Sequence, residues 1–214
     1  MTRRLINHIL AGTSHVLRDQ RVELVLERLY SDAQRAADQA KEDASADQLG
    51  DFGYSLRPSQ GELLYLLCRS TGARRVVEAV SSRGATAIYC AAAMRDNGGG
   101  LVIGTDPRLE HVEAARANLT QAGLAEFADI RHGDPAETLP SIGEPIDVAY
   151  LDGWPELRAP SRALRMLELL RPKLRPGALV LNDGAEADYL DYLRASDSGF
   201  RASILDLGVL AVRE

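Results

Sequence analysis

Residues 74–106 read RRVVEAVSSRGATAIYCAAAMRDNGGGLVIGTD, and this stretch decides the fold. Val76-Val77-Glu78-Ala79-Val80 is a short, mostly apolar run of strand length. Ala85 to Arg95 is Ala-rich and helix-forming. Leu101 to Asp106 is a second strand. A strand, a helix and a further strand in succession are the unit of a parallel sheet.

The same alternation continues downstream. Leu109 to Gln121 reads as a helix stopped by Gly123, a good C-terminal residue. Ala128 to His132 is a short strand, Ile146 to Asp152 another, and Ser161 to Leu174 a helix. Gly177 to Asp183 is a strand and Glu186 to Ala195 a helix. Phe200 to Arg213 holds two apolar runs around Gly208, a hairpin that only antiparallel pairing allows. Upstream, Ser59 and Glu62 have capping-box spacing for a helix opening after Pro58. Leu63, Leu64, Leu66 and Leu67 are expected to form that helix's buried face. Val22, Val25, Leu26 and Leu29 recur at helical spacing. Ser31 to Asp51 is polar and Ala-rich, and a solvated helix, a lid and a partner surface all suit it.

The pattern predicts an α/β fold, mostly parallel with a C-terminal antiparallel hairpin and helices on both faces. Residues 1–53 are expected to form a helical appendage and 54–214 the main domain. The chain of 214 residues has a formal net charge of -6. That balance argues against a nucleic-acid binder. No apolar run reaches the roughly 20 residues of a membrane span. Without a signal-peptide pattern, the expected location is cytoplasmic. Cys68 and Cys90 read as buried reduced thiols. Lysine occurs only at positions 41 and 173.

Ligands of open α/β sheets sit at the carboxyl ends of the strands. Acidic residues stand at or just past several of these ends: Glu78 near the first, then Asp106, Asp134, Asp152 and Asp183. Carboxylates there suit a cation, a ribose or an amine. The loop after Glu78 keeps one glycine, Gly84. Neither GxGxxG nor a phosphate loop is present, which argues against dinucleotide enzymes and nucleotide hydrolases. HExxH, paired CxxC and GxSxG are also missing. The four histidines lack ligand spacing; His111 reads as a helix-surface residue.

The stretches SLRPSQGELLYLL, RRVVEAVSSRGATAIYCAAAMRDNGGGLVIGTD, ANLTQAGL, IRHGD, YLDGW and LRPGALVLND carry a resemblance. In order and spacing they resemble class I S-adenosylmethionine-dependent methyltransferases of Rossmann-like fold. The nearer likeness is to the catechol and caffeoyl-CoA O-methyltransferases and their small bacterial relatives. The resemblance implies O-methyl transfer from S-adenosylmethionine to a small phenol- or catechol-like acceptor. It implies that Ser55 and Leu56 flank the methionine part of the cofactor. Glu78, Ser82, Gly84 and Thr86 would form the first cofactor motif. Asp106 would take the ribose hydroxyls and Asp134 would flank the adenine. Asp152 would be catalytic, would touch the cofactor, and with Asp183 would ligate magnesium. Trp154 matches a tryptophan beside the metal loop. A homodimer is the expected assembly, with Leu5, Ile6, Ile9 and Leu10 as an apolar stripe.

Four positions depart from the family. Val80 replaces a glycine and is expected to crowd the cofactor. Pro135 removes a backbone N–H near the expected adenine. Pro155 stands where the family has a lysine base. Gly184 replaces the asparagine that would be the third metal ligand. Together they imply an alternative: a chain of the same fold that has lost the metal-dependent mechanism and acts as a non-catalytic partner subunit or in other chemistry.

Overall fold

A computed structural model of the chain describes residues 16–39, 56–151, 159–206 and 208–214. Ser55, Asp152, Trp154, Pro155 and the stripe of residues 5–10 lie outside these residues. The elements are α1 (Gln20–Gln39), α2 (Pro58–Ser70), β1 (Arg75–Ala79), α3 (Ala85–Asp96), β2 (Leu101–Asp106), α4 (Leu109–Ala122) and β3 (Ala128–His132). There follow α5 (Pro135–Thr138), β4 (Ile146–Leu151), α6 (Arg162–Leu170), β5 (Leu174–Asn182), α7 (Ala187–Arg194), β6 (Phe200–Leu205) and β7 (Gly208–Arg213).

The seven strands form one sheet in the order β3-β2-β1-β4-β5-β7-β6. β1 to β5 pair in parallel, and β7 runs antiparallel between β5 and β6. The expected α/β architecture with its terminal hairpin is therefore present. Strand side chains alternate between faces. Val76, Val102, Ile130, Val148 and Leu181 enter a core under α1, α2, α3 and α4. Val77, Ile103, Ala149 and Val180 enter a second core under α6 and α7.

Several boundaries differ from the sequence expectation, each for a local reason. β1 ends at Ala79, because Val80 has a positive φ of 75° and leaves the strand. α2 begins two residues earlier than the Ser59–Glu62 pair implies. Its N-cap is Arg57, whose N–H donates to Gln60 Oε1 at 2.8 Å. Pro58 at the first helical position needs no N–H partner, which favours this start. The buried face of α2 holds Leu64, Tyr65 and Cys68, whereas Leu66 is 51% exposed. The helix approaches α3 closely: a Cβ at Gly61 would stand 2.2 Å from the Tyr89 ring. Cys68 and Cys90 are buried and unbridged, as expected.

α1 runs through the first polar residues of the 31–51 stretch. Val22, Val25, Leu26 and Leu29 bury against α3 and α4. Arg21 caps the end of α4 by donating to the Gln121 and Thr120 carbonyls at 2.6 and 3.1 Å, where the helix dipole favours a cation. No helix among the described residues is long and apolar enough to cross a membrane.

Asp147 of β4 locks the end of the sheet opposite the strand carboxyl termini. Its Oδ2 accepts the Arg74 and Arg75 backbone N–H groups at 2.8 and 2.9 Å, and its Oδ1 accepts Arg175 Nε at 2.5 Å. Burial pushes this carboxyl up, but the Arg175 guanidinium and the two backbone donors outweigh it and hold it below its ordinary value. A lowered carboxyl stabilises the fold above its unfolded value, and that contribution is lost as pH falls through the folded value. Asp147→Ala orphans three donors and is expected to cost about 2–4 kcal/mol, read as a lower urea midpoint at neutral pH.

Candidate functional site

The carboxyl ends of β1, β2 and β3 meet around the 80–84 loop. Three residues there have left-handed backbone: Val80 (φ 75°), Ser82 (φ 48°) and Gly84 (φ 89°). Glycine adopts this region freely, whereas a β-branched residue does not. The loop is held by bonds from both sides. Ser81 N–H donates to the Thr105 carbonyl and Gly84 N–H to the Ser81 carbonyl, both at 2.9 Å. Gly84 must also lack a side chain for space, since a Cβ would come within 3.0 Å of the Ala115 Cβ on α4.

Asp106 closes this arrangement. Its Oδ2 accepts Ser82 N–H at 2.8 Å and its Oδ1 accepts Arg108 N–H at 2.9 Å. His111 Nδ1, in the first turn of α4, lies 3.4 Å from Oδ1. Asp106 is 1% and His111 8% exposed. The expectation that His111 lies on the helix surface is thus corrected: the start of α4 folds back over the strand end and turns the imidazole toward the carboxylate. A lone histidine in a helix carries no periodic signal that could have shown this.

Glu78 lies beside Asp106, 1% exposed. It points into the apolar core under α3, on the same face as Val76. Neither carboxylate oxygen completes a hydrogen bond of good geometry, and the buried Ser81 hydroxyl is likewise unsatisfied. Burial pushes the Glu78 carboxyl up to about 7, against the pull of the adjacent Ser81 and Thr86 hydroxyls and helped by the Asp106 charge. Gly104, opposite Glu78 across the β1–β2 ladder, makes room for it. A Cβ there would lie 2.2 Å from Ser81 Oγ and 3.2 Å from Glu78 Oε2. Sequence reasoning passed over Gly104; an isolated glycine within a strand was the available signal.

Asp134 follows β3 and caps α5, its Oδ1 accepting Ala136 N–H at 2.7 Å. Pro135 takes the first position of that helix, where an N–H has no intrahelical partner in any case. The adjoining strand end is pinned by Thr105 Oγ1, which lies 3.0 Å from the Gly133 carbonyl and 2.8 Å from Thr138 Oγ1.

The site thus gathers Glu78, Ser82, Gly84, Thr86, Asp106 and Asp134 at one edge of the sheet. Asp183 stands two strands away, exposed, directly after β5. Next to it, the space a side chain at Gly184 would fill is occupied by Glu186, whose carboxylate oxygens lie 2.7 and 2.8 Å from the position of a Cβ. Glu186 Oε2 accepts from Asn182 Nδ2 at 3.0 Å. Among the described residues, no three His, Cys, Asp or Glu side chains converge in a way that could hold a metal ion. Gly184 supplies no side-chain donor, and Asp152, the other carboxylate that the resemblance assigns to magnesium, lies outside the described residues.

A family model described as a methyltransferase domain matches residues 77–184, just over half of the chain. A catechol O-methyltransferase of Niastella koreensis is 29% identical over 154 residues, covering 68% of this chain and 66% of that protein, just under two thirds of its length. A Mycolicibacterium smegmatis protein carrying an O-methyltransferase name is 30% identical over 174 residues, covering 80% of this chain and 76% of its own length. The fold also matches an O-methyltransferase from Bacillus cereus in complex with SAH. The TM-score is 0.65 at 20% identity, over 99% of this chain and 96% of that one.

Two predictions follow from the strained loop and the buried carboxylate. Val80→Gly relieves a left-handed β-branched residue and is expected to raise stability by about 1 kcal/mol, net of glycine's entropy cost. Thermal melting checks this. Glu78 binds its proton more tightly folded than unfolded. Its stabilising effect is complete below the ordinary value of 4.5 and is lost as pH rises through about 7. Glu78→Gln therefore removes a decline in stability of about 3 kcal/mol between pH 4.5 and 8, read as a flatter melting-temperature profile than that of the unsubstituted protein.

Proposed function

The chain belongs to the class I S-adenosylmethionine-dependent methyltransferases, and from that premise we propose that it moves a methyl group from S-adenosylmethionine to the hydroxyl of a small acceptor. One observation carries the reading: a buried aspartate at the end of β2, held by backbone N–H donors from the β1–α3 loop and from the start of α4. The bound cofactor supplies a sulfonium-activated methyl group.

The chain's own residues supply the rest. Asp106 offers each ribose hydroxyl an oxygen whose second lone pair remains after its backbone bond. The carboxylate is covered, so the ribose reaches it once the residues above it move aside. Gly84 opens α3 in a left-handed turn without a side-chain cap, leaving first-turn N–H groups and the Thr86 hydroxyl for a carboxylate. Asp134 keeps one oxygen for the adenine edge, since its other oxygen caps α5. Glu78, near half-protonation at neutral pH, lies beneath the loop and can give or accept a hydrogen bond. Leu56, buried in the core under α1 to α4, and Ser55 and Asp152, which lie outside the described residues, complete the set that the resemblance implies.

A phenol or catechol is the acceptor class we favour, supported by the catechol O-methyltransferase name of the Niastella relative. Pro155 offers no base where the family has lysine, so the hydroxyl must lose its proton to a carboxylate or to water. The O-methyltransferase names among the relatives support the enzyme over the non-catalytic alternative.

Calorimetric titration with S-adenosylhomocysteine tests the reading. Saturable binding by the folded protein is expected, and Asp106→Ala is expected to weaken it about tenfold or more through two lost hydrogen bonds. A folded protein with no heat of binding at millimolar ligand would overturn the proposal. Incubation with catechol and S-adenosylmethionine, followed by mass spectrometry, then reads the acceptor.

A further inference from the structure

Glu78 differs from the other buried acids of the sheet. Asp147 accepts two backbone N–H groups and Arg175 Nε, and Asp106 accepts two backbone N–H groups. Neither oxygen of Glu78 is held in that way. A carboxylate buried so lowers stability unless it takes a proton. Two buried hydroxyls adjoin it, Ser81 and Thr86, and both act on the carboxyl as hydrogen-bonding neighbours. Ser81 Oγ and Glu78 Oε2 converge on the space at Gly104, 2.2 and 3.2 Å from where its Cβ would stand.

Other titratable groups face Glu78 from the elements packed around it. Asp106 on β2 lies beside it and adds negative potential. Cys90 on α3 feels the Glu78 charge, with the Cys68 thiol of α2 against it. Tyr150 on β4 is its neighbour in the β1–β4 ladder. His111 stands one group further off, against Asp106 Oδ1.

Thr86 links this acid to the strand-end site. A threonine hydroxyl has one proton and donates one hydrogen bond at a time. When Glu78 is ionised, it draws that proton, and its charge opposes an anion nearby. When Glu78 is protonated, it donates to a hydroxyl oxygen instead, and the Thr86 O–H is free to turn toward the start of α3. That helix start has no side-chain cap, and it is where the cofactor carboxylate is proposed to bind.

We propose that Glu78 is a positioning residue: protonated, it turns the Thr86 hydroxyl toward the carboxylate of the bound cofactor. This rests on the cofactor reading of the site and goes beyond it, because cofactor binding then takes up a proton. Folded Glu78 loses that proton as pH rises through about 7. The binding-competent fraction therefore falls about tenfold between pH 6 and pH 8.

Calorimetric titration with S-adenosylhomocysteine at pH 6 and pH 8, in two buffers of different ionisation heat, tests this. Binding is expected to be about tenfold weaker at pH 8, with uptake of roughly one proton there. Glu78→Gln keeps a donor and cannot ionise, so it should bind equally at both pH values without that uptake. Thr86→Ser should retain the pH dependence. Thr86→Val should bind more weakly at pH 6 and lose it. Melting transitions check that each variant is folded, and the parent's proton uptake is decisive by itself if one is not. A purely structural Glu78 would shift melting temperature and leave these pH slopes alone. A slope that persists in Glu78→Gln belongs to another group, such as His111 or the ligand amine, and overturns the proposal. A slope that survives Thr86→Val overturns it as well, since Glu78 would then act on the ligand directly. Saturable binding by the parent with equal affinity at both pH values, or with proton release, sinks this inference alone. No binding at either pH removes the cofactor reading together with it.

Discussion

The site depends on the two backbone N–H groups that Asp106 accepts. β1 and β2 are adjacent and in parallel register, with Ala79 opposite Thr105. The chain leaving β1 must therefore turn at once beside the end of β2. Val80 and Ser82 make that turn in left-handed backbone, a conformation that costs free energy for side-chain-bearing residues. The Ser82 N–H bond to Asp106 and the Ser81 N–H bond to Thr105 offset that cost. The same aspartate accepts Arg108 N–H and so sets the start of α4. One carboxylate thus ties together the loop, the strand end and the next helix.

The strand-end carboxylates form a graded set. Asp106 is buried but satisfied, while Glu78 is buried and lacks good partners, so burial dominates and its proton affinity rises. Gly104 and the small Ser81 create the space in which Glu78 sits. Asp134 serves first as a helix cap. Asp183 stands apart on an exposed strand end beside a position that contributes no ligand.

The departures from the family also take on physical content. Pro135 is tolerated because it occupies the first position of α5, where proline's missing N–H has no consequence. Gly184 is matched by Glu186, whose carboxylate takes the room a side chain would have used. Val80 keeps its left-handed backbone only because the hydrogen bonds of the following loop residues offset the cost.

Residue types and their periodicity were enough to read the strand and helix order, the hairpin around Gly208 and the acidic strand ends, because each is written locally. Alternation of apolar residues needs no knowledge of distant contacts. Helix starts were less legible, since the choice between Arg57 and Ser59 as the α2 cap turned on Pro58 and Gln60 together. His111 was misread for a related reason. Its exposure depends on how α4 enters beside β2, which no spacing within the helix encodes. The elevated Glu78 carboxyl and the need for Gly104 were decided only by the tertiary structure. Each arises where residues far apart in the chain exclude water from one another, and solvent exclusion is a property of packing rather than of sequence order.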